Sequence, residues 1–590
     1  MTGTRWKQAS ISSSLELINS DFQDSKQTNM KKQTYLLLAT LMVVLSVPAL
    51  RADDQSKVNP PNQLPFDCKN DPPLNLPITP GPYKPTWESL ESQYQCPEWF
   101  RDAKFGIWAH WGFGSFYPQD YYRENKGVAV NPSATPSLKG AKDALLNFKA
   151  EHWDPVKLLT LYKENGAKYF MALGNHHDNF DQWNSRFQPW NSVNMGPHRD
   201  MIAEWQAAAK KLRLRFGVSS HAARAWEWYE GSQGVDKSGT PYDGNLTKAD
   251  GKGLWWEGYD PQDLYAQYHH TPGKFSWDWD PKVTSTPSSA YMEKFYLRHK
   301  QLYENYHPDM MYYDDTVLPF HGITDQVGLA LAAEVYNSSI ALKQSNDVVM
   351  NCKKLDEAQR RGMVYDFERG RADRILPQPW QDDTCMGHWF YDPSYCRTAT
   401  NSKSHYKTPQ IVVRMLIDIV SKNGNLMLSV PLRKDGTPDD EEIEIVKGIG
   451  AWLKVNGDAI YATRPWFVYG EGPSLLDKCT PRDVSLNRLE DVRDQPYTAS
   501  DIRFTQSKDH KALYAIALDI PKDGKLLVKT LATGAGKINE VSLLGYSGRL
   551  DWQQTPEGLA VTLPKEMPCD IACSIKILGE NLKPVSADKK

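Results

Sequence analysis

Between residues 95 and 465 the sequence repeats one pattern: an amphipathic helix, a short turn, then an apolar run of strand length. In "DPVKLLTLYKENGAKYFMAL", Asp154 caps a helix with Pro155 at its first position. The apolar stripe runs through Leu158, Leu159 and Tyr162, Gly166 ends the helix, and Lys168 to Leu173 reads as a strand. "MIAEWQAAAKKLRLRFGVS" gives helix, turn and strand again. Strands that alternate with helices lie parallel in one sheet. At this length the expected closure is an α/β fold, a (β/α)8-like TIM barrel over 95–465. Beyond 466, "DIRFTQSKDHKALYAIALDI", "KLLVKTLA", "EVSLLG" and "ACSIKIL" are short β runs broken by Gly, Asp and Pro. They predict an all-β sandwich over 466–585.

The N-terminus predicts export. "MKKQTYLLLATLMVVLSVPALRA" begins at Met30 with Lys31 and Lys32, continues through an apolar core from Tyr35 to Val47, and offers cleavage after Ala49 or Ala52. That is a secretory signal over 30–52, too short for a membrane span. Residues 1–29 read as an upstream extension, and 53–94 as a Pro-rich leading segment. No Cys follows the cleavage region, so no lipid anchor is expected. The expected location is secreted or periplasmic. A net charge of −3 gives no basic surface for nucleic acid or anionic membrane. Export permits disulfides among the eight Cys, with Cys569–Cys573 and Cys385–Cys396 as candidates by spacing.

In a parallel barrel, residues just past the strand C-termini line the active face. Here those ends carry His110 and Trp111; Asn175, His176, His177 and Asp178; Ser219, Ser220 and His221; Asp314 and Asp315; and Asp366 and Glu368. His176, His177 and Asp178 could hold a metal, but no HxH or HExxH spacing supports one. Twenty Trp and 29 Tyr supply apolar faces with polar tips, a surface that suits sugar rings. Two strand-end carboxyl groups fit retaining glycoside hydrolysis, which needs a nucleophile and an acid/base about 5–5.5 Å apart.

At these residues the sequence resembles the α-L-fucosidases of glycoside hydrolase family 29. Five blocks carry the resemblance in order: "WFRDAKFGIWAHWG", "NHHDNFDQWNS", "PDMMYYD", "SKNGNLMLSVP" and "WLKVNGDAIYATRPW". It implies a retaining exo-hydrolase of fucosylated glycans or fucans, with no metal or organic cofactor, built as a barrel plus a C-terminal β-sandwich. It places the nucleophile on Asp314 rather than Asp315. It places sugar contacts on His110, Trp111, His176, His177 and Trp183, with Tyr312 replacing the usual strand Trp. The family tyrosine strand reads "GVSSHA", so His221 stands in for it, and Tyr121 takes the place of a pocket Trp. The acid/base varies within the family. Glu368 is favoured here over Asp120 and over Asp382, which lies with Asp383 beside Gln381, where many relatives carry Glu. Two alternatives remain open: a glycosidase for a fucose-like α-L-galactoside, and a non-catalytic glycan-binding protein.

Overall fold

The computed structural model describes residues 65–116, 138–228, 243–265, 279–280, 285–397, 403–475 and 497–585. The expected signal segment, Asp120 and Tyr121 lie outside the described residues.

Eight parallel strands close into a barrel in sequence order. They are β1 (Phe105–Ala109), β2 (Tyr169–Leu173), β3 (Arg215–Ser220), β4 (Met310–Tyr313), β5 (Val349–Cys352), β6 (Val364–Glu368), β7 (Trp380–Cys385) and β8 (Gly424–Ser429). The intervening helices start where the sequence places caps. Asp154 accepts from the Lys157 amide at 3.0 Å to open Pro155–Glu164, and Asp200 accepts from Ala203 at 2.9 Å to open Met201–Leu212. Arg213, at φ 54°, turns the chain out of the second helix.

Side chains alternate across each strand, and this sorts the barrel into two layers. Trp108, Tyr169, Met171, Met310, Tyr312, Val349, Val364 and Met427 form an inner cluster. Their sequence neighbours, such as Ile107, Phe170, Met311, Tyr313 and Leu428, join the shell under the helices. The interior is tight: a Cβ on Gly106 would meet the Tyr169 ring at 2.2 Å. Near β6 and β7 the filling turns polar, with Asp366, Gln381 and Asp383 all buried.

Neither candidate disulfide is formed. Cys385 is a buried thiol on β7 whose Sγ lies 3.2 Å from the Gly387 carbonyl, whereas Cys396 sits between the hydroxyls of Tyr391 and Tyr406. Cys569 Sγ donates instead to the Ala572 carbonyl at 3.0 Å. Among the described residues no helix is long and apolar enough to cross a membrane.

The C-terminal region packs two antiparallel sheets over a shared apolar core. One contains β9 (Thr463–Glu471), β10 (Ile502–Ser507), β11 (Ala512–Ala517), β13 (Lys537–Leu543) and β16 (Cys573–Glu580). The other contains β12 (Lys525–Val528), β14 (Asp551–Thr555) and β15 (Gly558–Thr562). This sheet system begins at Thr463, within the chain segment that reads as the end of the barrel domain.

Barrel helix Pro409–Ser421 joins the two regions. Its Asp418 accepts from Arg503 Nε on β10 at 2.7 Å and from Lys422 Nζ at 2.8 Å. Its Arg414 Nε donates to the Leu518 carbonyl at 2.7 Å, and Trp452 Nε1 of helix Asp440–Asn456 to Ala572 at 2.9 Å. Burial would raise the Asp418 carboxyl, but Lys422, Arg503 and Arg371 outweigh burial and hold it below the usual range. Its contribution to stability is therefore complete above the unfolded carboxylate range and fades as pH falls through the depressed folded value. Asp418→Asn strands these cations in a buried site and should destabilise the protein by about 3–5 kcal/mol, read as a lower urea midpoint at neutral pH. An unchanged midpoint would show that the cluster does not hold the regions together.

Candidate active site

At the C-terminal mouth of the barrel, Trp108, His110, His176, His221, Asp314, Lys353, Glu368, Asp383 and Trp389 enclose a cavity of about 230 Å³. A larger hollow of about 980 Å³ lies on the C-terminal sheets beside Trp466 and Phe467, but no carboxylate lines it. The groups that can exchange protons and attack a sugar converge at the barrel mouth.

Strand alternation explains the two adjacent acids after β4. Tyr312 faces the barrel interior and Tyr313 the helix shell, so Asp314 follows Tyr312 inward and Asp315 follows Tyr313 outward. Asp315 is buried against the Arg224 guanidinium, with which it forms an ion pair. It also accepts from the amides of Thr316 (2.8 Å) and Phe320 (3.2 Å). Asp314 instead meets Lys353 Nζ at 2.5 Å and His221 Nε2 at 3.1 Å.

Lys353 also reaches Glu368 Oε2 at 2.7 Å. Distances of 2.5 and 2.7 Å to one nitrogen place those two carboxylate oxygens within 5.2 Å of each other, the sum of the two legs. Burial opposes ionisation of Asp314, but Lys353 and then His221 reverse this and hold it well below the usual carboxylate range. Burial lowers Lys353 while Asp314 and Glu368 outweigh it, so the ammonium stays charged. Burial also pushes His110 and His176 well below the ordinary imidazole range, and His177 down to about 3. These three rings are neutral hydrogen-bonding groups at neutral pH.

Of the residues singled out from sequence, His110, His176, His221, Asp314 and Glu368 line the cavity. His110 Nδ1 is 2.8 Å from Ser429 Oγ, which fixes its ring. His177 stands behind them, stacked on Trp228 at 4.2 Å with Nδ1 3.2 Å from the His221 carbonyl. Tyr312 lies beneath the cavity, its hydroxyl donating to Asp383 at 3.1 Å. Trp111 and Trp183 do not line it. Trp111 is adjacent to His110 and so takes the opposite face, packing on Phe148 and Trp153 at 5.6 and 5.5 Å. Trp183 is wholly buried, 6.3 Å from His299 in the helix shell. Asp178 accepts from the Phe180 amide, and burial raises it to about 7. Asp382 faces away from the cavity and accepts from the Gly370 amide at 2.9 Å. Lys353, Trp108, Trp389 and Asp383 complete the lining, and sequence reasoning assigned none of them a role there. Among the described residues no group of three or more His, Cys, Asp or Glu side chains is placed to hold a metal ion.

The profile of the family described as "Alpha-L-fucosidase" matches residues 74–458. This chain belongs to the α-L-fucosidase family. A second profile, "Alpha-L-fucosidase C-terminal domain", matches residues 495–578. The chain is 28% identical to human plasma α-L-fucosidase over 508 residues, covering 82% of this chain and 90% of that protein. It is 26% identical to rat tissue α-L-fucosidase over 528 residues, covering 85% and 94%. The structure of Thermotoga maritima α-fucosidase in complex with fucose superposes with a TM-score of 0.57 at 23% identity, covering 84% of this chain and all of that one. That likeness shows the shared fold.

The contacts of Lys353 can be tested directly. Lys353→Met removes the leading counter-charge of Asp314 and should lower kcat/KM by about 10²–10³-fold. The acidic limb of the pH profile should move up, because Asp314 would then take a proton at higher pH. An unmoved acidic limb would mean that Lys353 does not set the ionisation of Asp314.

Proposed function

We propose that this protein is an exported, retaining exo-α-L-fucosidase that removes terminal α-L-fucosyl residues from glycans or fucans. Asp314 acts as the nucleophile and Glu368 as the acid/base. The observation that carries this reading is the Asp314–Lys353–Glu368 bridge. Its two carboxylate oxygens lie within 5.2 Å, the sum of the 2.5 and 2.7 Å legs. This bound on the nearest oxygens is compatible with the separation of about 5–5.5 Å between the carboxyl groups of retaining enzymes. Asp314 is the more enclosed of the pair: its side chain is 18% exposed against 37% for Glu368. That fits a nucleophile at the pocket floor and an acid toward the opening, where the leaving group departs. His110, His176 and His221 supply hydrogen bonds to sugar hydroxyls, and Trp108 and Trp389 supply the apolar walls. Export rests on the secretory pattern from Met30.

In the first step Asp314 attacks the anomeric carbon while Glu368 gives its proton to the leaving oxygen. In the second, Glu368 takes a proton from water, which attacks the glycosyl-enzyme. The test is hydrolysis of 4-nitrophenyl α-L-fucoside followed from the first seconds by proton NMR. Initial release of α-L-fucose is expected. Initial β-L-fucose would overturn retention, and an absence of turnover would favour the glycan-binding reading. A higher kcat/KM on the matching α-L-galactoside would move the specificity to that sugar.

A further inference from the structure

His221 is held beside the nucleophile by Asn175, a residue that takes no part in the two steps above. His221 Nε2 is 3.1 Å from Asp314 Oδ2, while Lys353 takes Oδ1 at 2.5 Å, so these two contacts together set the plane of the carboxylate. Asn175 lies just past β2, is 1% exposed, and grips His221 twice. Its Oδ1 accepts from the His221 amide at 3.0 Å, and its main-chain carbonyl lies 3.2 Å from His221 Nδ1. The Ser220 hydroxyl donates to the same Oδ1 at 2.8 Å. On its other side, Asn175 Nδ2 donates to Asp181 Oδ1 at 3.0 Å. Three partners of fixed donor or acceptor type leave the Asn175 amide one orientation. Asp181 is wholly buried and is clamped in turn by the Arg298 guanidinium, with Nε 3.0 Å from Oδ2 and Nη2 paired with Oδ1. Arg298, on helix Ser289–Tyr306, also donates through Nη1 to Asn179 Oδ1 at 2.7 Å.

We infer that Asn175 is a positioning residue for the reaction, the last link of a buried chain Arg298–Asp181–Asn175 that aims His221 at Asp314 Oδ2. The inference rests on Asp314 as the nucleophile. Arg298 is anchored in the helix that leads into β4, Asp181 and Asn175 come from the segment after β2, and His221 from the one after β3. The chain therefore ties two strand-end loops to the helix preceding the strand that delivers the nucleophile. Asparagine suits the middle place, because one short planar group accepts on the His221 side and donates on the Asp181 side. A carboxylate there would face Asp181 with like charge, and an apolar side chain would strand the buried His221 amide and the Asp181 oxygen. Without the link, His221 keeps its ring contact with His176, at 4.4 Å between centroids, but loses the hold on its main-chain amide. The Asp314 carboxylate can then turn about its Cβ–Cγ bond, away from the line of attack on the anomeric carbon. Misplacement of a reacting group by about 1 Å costs roughly 10²-fold in rate.

A double-mutant cycle tests this. Asn175→Ala should lower kcat/KM on 4-nitrophenyl α-L-fucoside by about 10–100-fold, and His221→Phe by at least as much. In the double variant, the Asn175 substitution should cost less than about twofold beyond His221→Phe, because its route to the carboxylate is already gone. Nitrogen NMR of protein with isotope-labelled histidine gives a readout independent of turnover. The ring signals missing from His221→Phe belong to His221, and they should move in Asn175→Ala. Additive losses in the double variant overturn the proposal, as do unmoved His221 signals in an Asn175→Ala variant that has lost only thermal stability. Asn175→Asp sets a carboxylate against Asp181 and should lose as much as Asn175→Ala. Adding Asp181→Asn restores a donor against an acceptor at that contact without changing the total charge, and should return kcat/KM to within about tenfold of wild type. An exchange variant as slow as Asn175→Asp overturns the chain, and decides the matter where Asn175→Ala does not fold. A wild type without fucosidase turnover would overturn the proposed function instead, and the His221 signals would then decide whether Asn175 holds the ring.

Discussion

Asp314→Gly should lose more than about four orders of magnitude in kcat, the scale seen when a covalent nucleophile is deleted, while Asp315→Asn should stay within about tenfold. The residues are adjacent and chemically identical, so only their facing separates them. Asp314 is tied to Lys353 and His221 in the cavity; Asp315 is tied to Arg224 in the shell. The Asp315→Asn variant should show its loss in stability, by about 2–4 kcal/mol, because the buried Arg224 guanidinium loses the carboxylate it pairs with. Azide should enter the space left in Asp314→Gly and attack the anomeric carbon directly, giving β-L-fucosyl azide from an activated α-fucoside. An active Asp314→Gly beside a dead Asp315→Asn would reverse the register of β4.

Glu368→Ala should produce the opposite stereochemistry. Loss of the acid/base costs about 10²–10⁴-fold, but unevenly. A dinitrophenyl leaving group departs without a proton, so kcat/KM on that substrate should fall far less than on a poorly activated glycoside. The glycosyl-enzyme then waits for a water that no base activates. Azide needs no base, so it should restore turnover and yield α-L-fucosyl azide, because it attacks the intermediate from the leaving-group side. Asp382→Ala should show neither rescue nor leaving-group dependence, since Asp382 faces away from the cavity and holds the Gly370 amide. Rescue at Asp382 or Asp120, and none at Glu368, would reassign the role.

The barrel was legible because its two periodicities are strong: caps and stripes mark the helices, and uninterrupted apolar runs mark strands buried on both faces. Strand-end positions gave His110, His176, His221, Asp314 and Glu368, all of which line the cavity. Lys353 escaped because β5 spans only Val349–Cys352 and is followed by Lys353 and Lys354, which read as surface charge. A strand-end reading of "VVMNCKK" would have found it. The opposite facing of Trp111 was also available, since a residue beside an inward His110 on an extended segment points out. Trp389 had no such signal. It sits in an irregular segment after β7, where no period applies and only tertiary packing turns the indole toward the site. The pairing of Glu368 with Asp383 depends on the register between β6 and β7, which no single strand encodes.

Helix Pro409–Ser421 is buried along its whole run from Ile411 to Ser421, because the barrel covers one side and the C-terminal sheets the other. A gene fragment ending after the barrel would therefore not specify a smaller enzyme. It would leave Arg414 and Trp452 without their acceptors at Leu518 and Ala572, and an apolar surface open to aggregation. In domain shuffling, the heritable unit is barrel and sandwich together. A foreign β-sandwich could replace the native one only if it brought an arginine to meet Asp418 and a backbone carbonyl to meet each of the other two donors.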